Sequence, residues 1–352
     1  MTEVTDLVDR DGLREFLASE LGETETFDVK RHEEGFSNET LFVTWGDREL
    51  VVRRPPPGET ADTAHDILRE YTPIDALQGT DVPVPRTVAA CEDTSVIGSV
   101  FYVMERVDGD VLRFSAPGRF NDPDHQRRIG EEMVDTLAAI HTVDYESVGL
   151  DDFGDPEGFT ERQVKRWTEQ IEWAFEETTA KREVPEIGRV GDWLTENVPT
   201  NPPAALVHGD YKLDNVIFGP ETPPEIAGVL DWEMSTLGDP LCDLGWLLFF
   251  WPEEKDPLPP IMQTISPPFL TTGEYPTRAA LTERYEEKTG FTVDNHRFYR
   301  ALAVYKMAAL GEMFYARYLM GNSDNRFYEM MDDGVPAMAE QAVSIIEGDQ
   351  PL

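Results

Sequence analysis

The stretch "HGDYKLDN", residues 208–215, constrains this chain more than any other feature. It gathers a histidine, two aspartates, a lysine and an asparagine between two apolar runs, "AALV" and "VIF", that read as short strands. Charges set between buried strands need partners or a ligand, because burying them unpaired is costly. A second stretch repeats the theme: "IAGVLDWEMS" places Asp231 and Glu233 directly after another strand-like run. Together Asp210, Asn215 and Asp231 offer one carboxylate poised as a base and, downstream, an amide plus a carboxylate. Hard oxygen donors of that kind suit Mg2+, which keeps its other positions for water and phosphate oxygens. Phosphoryl transfer uses this division of labour, since the protein need only position a hydroxyl, hold the metal and neutralise charge.

The two loops sit in the later, helical part of the chain. Before them, "FDVKRHE" (27–33), "ETLFVTW" (39–45) and "RELVVRR" (48–54) read as three strands with short turns, an antiparallel meander stopped by "PPPG". A helix follows in "TADTAHDILREY", with Pro73 expected to end or kink it, and then two more strands around "RTVAAC" and "SVFYVMERV". Five strands and one helix thus fill the first 107 residues. Beyond them, Asp122 and Pro123 open a helix with the stripe Ile129, Met133, Leu137 and Ile140. Thr160 with Gln163 has the pattern of a capping box, ahead of Val164, Trp167, Ile171 and Phe175 on one face. Residues 294–347 are helical in pattern, and "DPLPPIMQTISPPF" reads as a loop long enough to be a mobile flap. The expected architecture is α+β and bilobal: residues 1–107 form a small antiparallel sheet lobe, 108–352 a mainly helical lobe, and a cleft between lobes is the default place for a ligand.

The formal net charge of −39 is spread along the whole chain, and only seven of the 30 basic residues are lysines. Seven Trp and eighteen Phe argue against an acidic disordered protein. Uniform acidity with few lysines points to a salt-loaded cytoplasm, where the Debye length falls to roughly 3 Å at 1 M salt and surface repulsion is screened. It also argues against nucleic acid and anionic membranes as partners, because no basic face is present to neutralise phosphates. The acidic start "MTEVTDLVDR" lacks an apolar signal region, and the longest apolar run, Leu244 to Trp251, is too short to span a bilayer, so the expected setting is cytoplasmic. Cys91 and Cys242 are too few for a disulfide framework or zinc site and read as small buried hydrophobes.

"HGDYKLDN", "LDWE" and "LGDPLCDL" resemble the core motifs of the aminoglycoside phosphotransferase and choline kinase group, distant relatives of protein kinases. More narrowly, "VVRRPPPG", "DVPVPRTVAACEDTSVIGSVFYVMERVDG" and "LVHGDYKLDNVIF" are similar to the kinase-like domain found fused to acyl-CoA dehydrogenases, although no dehydrogenase-like stretch follows within these 352 residues. The resemblance spans roughly residues 27–250 and implies a bilobal protein-kinase-like fold using ATP and Mg2+. Carried over by position, Asp210 matches the catalytic base and His208 the histidine that braces its loop. Asn215 and Asp231 match the metal ligands, with Glu233 a candidate for a second metal. In the first lobe, Phe36, Ser37 and Asn38 are expected to present backbone N–H groups to the phosphates. Alternation along the third strand puts Val51 and Arg53 on one face, where the resemblance implies that Val51 covers adenine and Arg53 reaches the phosphates in place of the usual kinase lysine; Arg54 is the fallback if the register slips by one. Glu70 matches the helix glutamate that pairs with that cation. Met104, the Glu105 carbonyl and the Val107 N–H are placed to meet the adenine edge. Asp239 and Asp243 read as structural ties between loops and helix, and His141 as a packing residue.

A hydrolytic metal centre would want several histidines together, whereas the six here are scattered. A nucleotide-binding pseudokinase is suggested by the arginine and a glycine-poor phosphate loop, but the base and both metal-ligand positions are present. The resemblance implies transfer to the hydroxyl of a small molecule, with a hydroxyacyl or hydroxyacyl-CoA metabolite favoured by the dehydrogenase link. A cationic amino-alcohol or aminoglycoside is the alternative.

Overall fold

In the computed structural model, which describes residues 7–32, 38–56, 61–256 and 260–350, alternating side chains build one antiparallel sheet with two unlike faces. Its strands β1 (Phe27–Arg31), β2 (Glu39–Trp45), β3 (Arg48–Arg54), β4 (Thr87–Cys91) and β5 (Phe101–Glu105) lie in the order β1-β2-β3-β5-β4. Leu41, Val43, Val52, Phe101 and Val103 point into an outer core. Val51, Tyr102 and Met104 point the other way, into the core that runs on into the helical lobe.

The outer core is closed by a helix that the sequence reading lacks, α1 (Arg10–Leu21), so the first lobe carries more than the single helix expected. Its signals are ordinary: the Asp9 carboxylate accepts from the N–H groups of Asp11 and Gly12 at 3.0 and 3.1 Å, and Leu13 and Leu17, one turn apart, are fully buried. On the inner face lies α2 (Ala61–Ala76). Pro73 sits inside it rather than ending it, because Ile74 and Leu77 are buried and the Leu77 N–H still reaches the Pro73 carbonyl at 3.0 Å.

The linker after β5 is clamped to the second lobe. Asp110 and Phe218 exchange backbone hydrogen bonds of 2.8 and 2.9 Å, and a Cβ on Gly109 would stand 2.1 Å from the Phe218 carbonyl oxygen, so only glycine fits. The helices that follow are α3 (Pro123–Thr142), α4 (Phe159–Thr178), α5 (Pro185–Glu196), α6 (Leu241–Phe249), α7 (Pro260–Ile265), α8 (Arg278–Thr289), α9 (His296–Leu319), α10 (Arg326–Glu329) and α11 (Met331–Glu347). α3 opens as expected, with the Asp122 carboxylate accepting from the Asp124 N–H and the predicted stripe buried. α4 starts differently. Gly158 in the left-handed region is its cap, and the Thr160 hydroxyl instead donates to Asp239 at 2.9 Å. The expected flap holds α7, whose Ile261 and Met262 are buried.

Four short strands position the polar loops. β6 (Ala205–Val207) pairs with β9 (Thr236–Gly238), and β7 (Val216–Phe218) pairs with β8 (Ile226–Val229). Loop 208–215 joins β6 to β7 and loop 230–235 joins β8 to β9. The nested pairing therefore sets the two loops side by side, with the Leu230 N–H bonded to the Asn215 carbonyl at 2.8 Å. No helix among the described residues is long and apolar enough to cross a membrane.

Candidate active site

Loop 208–215 is held from below. Asp243, at the start of α6, accepts the backbone N–H groups of His208 at 2.6 Å and Gly209 at 2.9 Å, and its Oδ2 lies 3.3 Å from His141 Nε2. Burial pushes the Asp243 carboxyl up, but His141, His208 and the bound N–H hold it below the usual carboxylate range. Asp239 accepts from Thr160 and Tyr299, so both aspartates of "GDPLCDLG" tie structure together as expected. Both nitrogens of the fully buried His208 are engaged. Nε2 donates to the Leu230 carbonyl at 2.9 Å, and Nδ1 accepts the Asp210 N–H at 3.2 Å, a tautomer that fits a ring kept neutral by burial. Gly209 has φ +84°, and a Cβ there would meet the Met234 carbonyl oxygen at 2.6 Å.

These constraints leave Asp210 at the tip with both carboxylate oxygens occupied. Oδ1 accepts from the Trp246 indole N–H at 2.7 Å, while Oδ2 accepts from the Asn215 amide at 2.8 Å and from Lys212. Lys306, projecting from α9, donates to the neighbouring Gly209 carbonyl at 2.7 Å and lies 3.9 Å from the Trp246 ring centroid. Burial pushes the Asp210 carboxyl up, but Lys212 and Lys306 outweigh it and hold the group below its ordinary range.

Asp231 has the opposite surroundings. It has φ 66°, ahead of a short turn of helix that carries Glu233. Burial, reinforced by Glu233, Glu70 and Asp210 and only partly offset by Arg53, pushes its carboxyl up to about 7. The place is short of positive charge. A divalent cation would supply it, and the donors are hard oxygens: Asp231, Glu233 and the Asn215 carbonyl, whose amide nitrogen is already committed to Asp210. Among the described residues no cluster of three or more His, Cys, Asp or Glu side chains forms a complete cage. The set fits Mg2+ shared with phosphate oxygens and not a histidine-rich centre.

On the first-lobe side, Arg53 is the residue that faces the cleft. Its guanidinium donates to Glu70 at 2.9 and 3.1 Å and to the Thr40 hydroxyl at 2.9 Å, and Asn38 also donates to Glu70 at 3.3 Å. Burial works against the Arg53 charge, but Glu70, Tyr102 and Asp231 raise its proton affinity overall. Arg54 turns to the outer face and bonds the Leu7 and Pro55 carbonyls, which rules out the slipped register. Val51 and Met104 are paired neighbours on the inner face, and Glu105 and Val107 follow at the linker, next to β8. Phe36 and Ser37 lie outside the described residues.

A cavity of about 330 Å³, reaching Gly209 next to Asp210, opens between α2, α4, α6, α9 and loop 230–235. Its walls include Trp246 and the cations Arg69, Arg162, Arg166 and Lys306. Sequence reasoning found none of these. Trp246 sits inside the longest apolar run, Leu244 to Trp251, where nothing in the sequence sets it apart. Lys306 left a faint signal, as the one lysine within the otherwise apolar "AVYKMAAL".

Residues 28–267 match the profile of the Phosphotransferase enzyme family. The chain belongs to this family. Among curated relatives of this phosphotransferase, rat acyl-CoA dehydrogenase family member 11 is 36% identical over 90% of the chain but only 40% of the relative, and mouse family member 10 is 34% identical over 95% of the chain and 31% of the relative. The chain thus spans less than half the length of those proteins. Among solved structures, a putative aminoglycoside phosphotransferase from Ralstonia eutropha is 32% identical, with a TM-score of 0.82 over 97% of this chain and 98% of that one. Choline kinase from Cryptosporidium parvum, at 12% identity, shares the fold with a TM-score of 0.64 over 96% and 97%. The bilobal kinase-like architecture expected from the motifs is the one observed.

Proposed function

We propose that this phosphotransferase moves the γ-phosphoryl group of Mg-ATP to the hydroxyl of a small anionic metabolite, of the hydroxyacyl or hydroxyacyl-CoA class. Asp210 takes the hydroxyl proton, and His208 holds the peptide that presents it. Asn215 and Asp231, with Glu233, hold Mg2+, which neutralises charge on the phosphates when bound. Arg53, fixed by Glu70, reaches the phosphates. Asn38 covers them, and Val51, Met104, Glu105 and Val107 frame adenine.

The observation that carries the acceptor class is the charge of the cavity beside Asp210. Acidic residues outnumber basic ones 69 to 30 in this chain, yet four cations converge on that one cavity. The acids on its wall are Asp155, which pairs with Arg162 at 3.9 Å, Glu233, and Asp243, which is consumed by the loop backbone. A cationic amino-alcohol or aminoglycoside would meet repulsion there, whereas a carboxylate or phosphate-bearing thioester would be drawn in. The names of the curated relatives, acyl-CoA dehydrogenases, support the same direction. A pseudokinase reading is weakened by the complete set of base, metal-ligand and cation–glutamate positions.

The test is coupled ADP release with Mg-ATP against hydroxy acids, their CoA esters, choline and aminoglycosides. Turnover with an anionic acceptor and none with cationic ones is expected. Saturable turnover only with a cationic acceptor would overturn the acceptor class, and nucleotide binding without transfer to any acceptor would overturn the enzyme reading.

A further inference from the structure

The cavity touches Trp246, Gly209 and Lys306, and these three groups also determine how Asp210 is held. Asp210 Oδ2 is enclosed by Asn215 and Lys212 from its own loop. Among the described residues Oδ1 has a single donor, the Trp246 N–H, and Trp246 is a wall of the cavity where an acceptor would sit. The indole is fixed in turn: it is nearly fully buried, stacks on Phe249, meets Phe250 edge to face, and carries the Lys306 ammonium over its ring. A cation on an indole face draws electron density from the ring and strengthens its N–H as a donor. Burial makes such a cation expensive to keep, and it brings Lys306 down to about 8. An apolar residue in that place would be the expected choice if packing were its only role.

We infer that Trp246 is the positioning residue of the base, aiming Oδ1 of Asp210 at the acceptor hydroxyl, and that Lys306 acts through the Trp246 ring. The inference rests on the function proposed above and specifies which oxygen reacts. The acceptor hydroxyl gives its proton to Oδ1 while its oxygen bonds to the γ-phosphorus and the bond from phosphorus to the ADP oxygen breaks. ADP leaves with that electron pair.

The experiment compares Trp246→Phe, Lys306→Met, Lys306→Arg and the Trp246→Phe/Lys306→Met double variant, with Asp210→Asn as control. Calorimetric Mg-ATP titration and steady-state transfer are measured on each. Phenylalanine keeps the ring packing and removes the N–H, so kcat is expected to fall about 10- to 100-fold, the cost of misplacing a reacting group, while Mg-ATP affinity and acceptor KM hold. Lys306→Met should lower kcat less, add little in the double variant, and be largely restored by Lys306→Arg. Wild-type kcat in Trp246→Phe would overturn the inference, as would additive losses in the double variant. If Trp246→Phe does not fold, as lost Mg-ATP binding would reveal, the lysine pair decides: equal kcat in wild type and Lys306→Met overturns it. Wild-type protein that transfers to no acceptor defeats the underlying reading, and transfer abolished by Asp210→Asn but untouched by Trp246→Phe defeats only this inference.

Discussion

Two aspartates lie on neighbouring loops, both largely buried, and the protein treats them in opposite ways. Asp210 is surrounded by donors: an indole N–H, an amide and two lysines hold its charge in place and keep its pKa low. Asp231 is surrounded by acids, and its pKa rises to about 7. The contrast separates two kinds of site. A base must be aimed before substrate arrives, so its partners are built into the fold. The proposed metal ligand is left short of positive charge, which an incoming ion would complete. Neighbouring carboxylates whose surroundings push them apart are a recurring sign of divided catalytic roles.

The largest effect expected from this contrast is on Asp210. Asparagine keeps the shape and the Trp246 contact but cannot take a proton, so transfer should fall by roughly 10² to 10⁴. Single-turnover phosphoryl transfer measures it directly, and a loss smaller than threefold would remove Asp210 from the base role.

Arg53 sharpens the other side. Glu70 is 2% exposed, so Arg53→Ala leaves a buried carboxylate unpaired, which typically costs about 3 to 5 kcal/mol. Urea unfolding should show that loss together with weaker Mg-ATP binding. Arg53→Lys should recover part of both, since lysine restores the charge but not the two-pronged contact.

Lys306 links the contrast to pH. Its folded pKa, about 8, lies below the ordinary 10.5, so between those values the unfolded chain binds more protons and this group's contribution to stability rises with pH. Activity should move the other way, falling above pH about 8 as the cation over Trp246 is lost. Asp210 and Lys212 face it from the loop, Asp243 and Cys242 from α6, and Arg166 and Glu233 share its cavity. The Tm advantage of Lys306→Met over wild type should therefore be greatest below pH 8 and shrink toward pH 10.5, and Lys306→Arg should lack the alkaline fall in kcat. A flat wild-type profile through pH 9 would count against the charge having a role.

Salt tests the smallest effect. Surface carboxylates repel one another and are screened, so Tm should rise between about 0.1 M and 2 M KCl. The crowding at Asp231 is buried and screened much less, so without Mg2+ the Tm gain of Asp231→Asn over wild type should persist in both salts. Coincident melting curves for wild type at the two salts would overturn the high-salt reading.

Much of this is legible in the sequence itself. Strand-like runs bounded by turn residues placed all five sheet strands, and alternation along the third chose Arg53 over Arg54, because a face is a local property. The polar loops stood out because charge between strand-like runs is rare without a use. What was missed depends on approach through space. Trp246 reaches Asp210 across 36 positions and Lys306 reaches Gly209 across 97, so a tryptophan that binds a carboxylate looked like one that only packs. Thr160 had the spacing of a cap, but Asp239 offered its hydroxyl a buried partner that sequence spacing does not reveal. Helix α1 did carry local signals, a cap at Asp9 and a short Leu13 and Leu17 stripe, yet its need arises from the exposed outer face of a sheet formed later in the chain.

The central claim, that one aspartate is prepared by the protein and the other by the metal, is tested most directly by titrating Mg-ATP into Asp210→Asn and Asp231→Asn by calorimetry. The account predicts near wild-type affinity for the first and a loss of at least about tenfold for the second, since only Asp231 is a proposed ligand of the bridging ion. Equal affinities in the two variants, or a loss confined to Asp210→Asn, would contradict it.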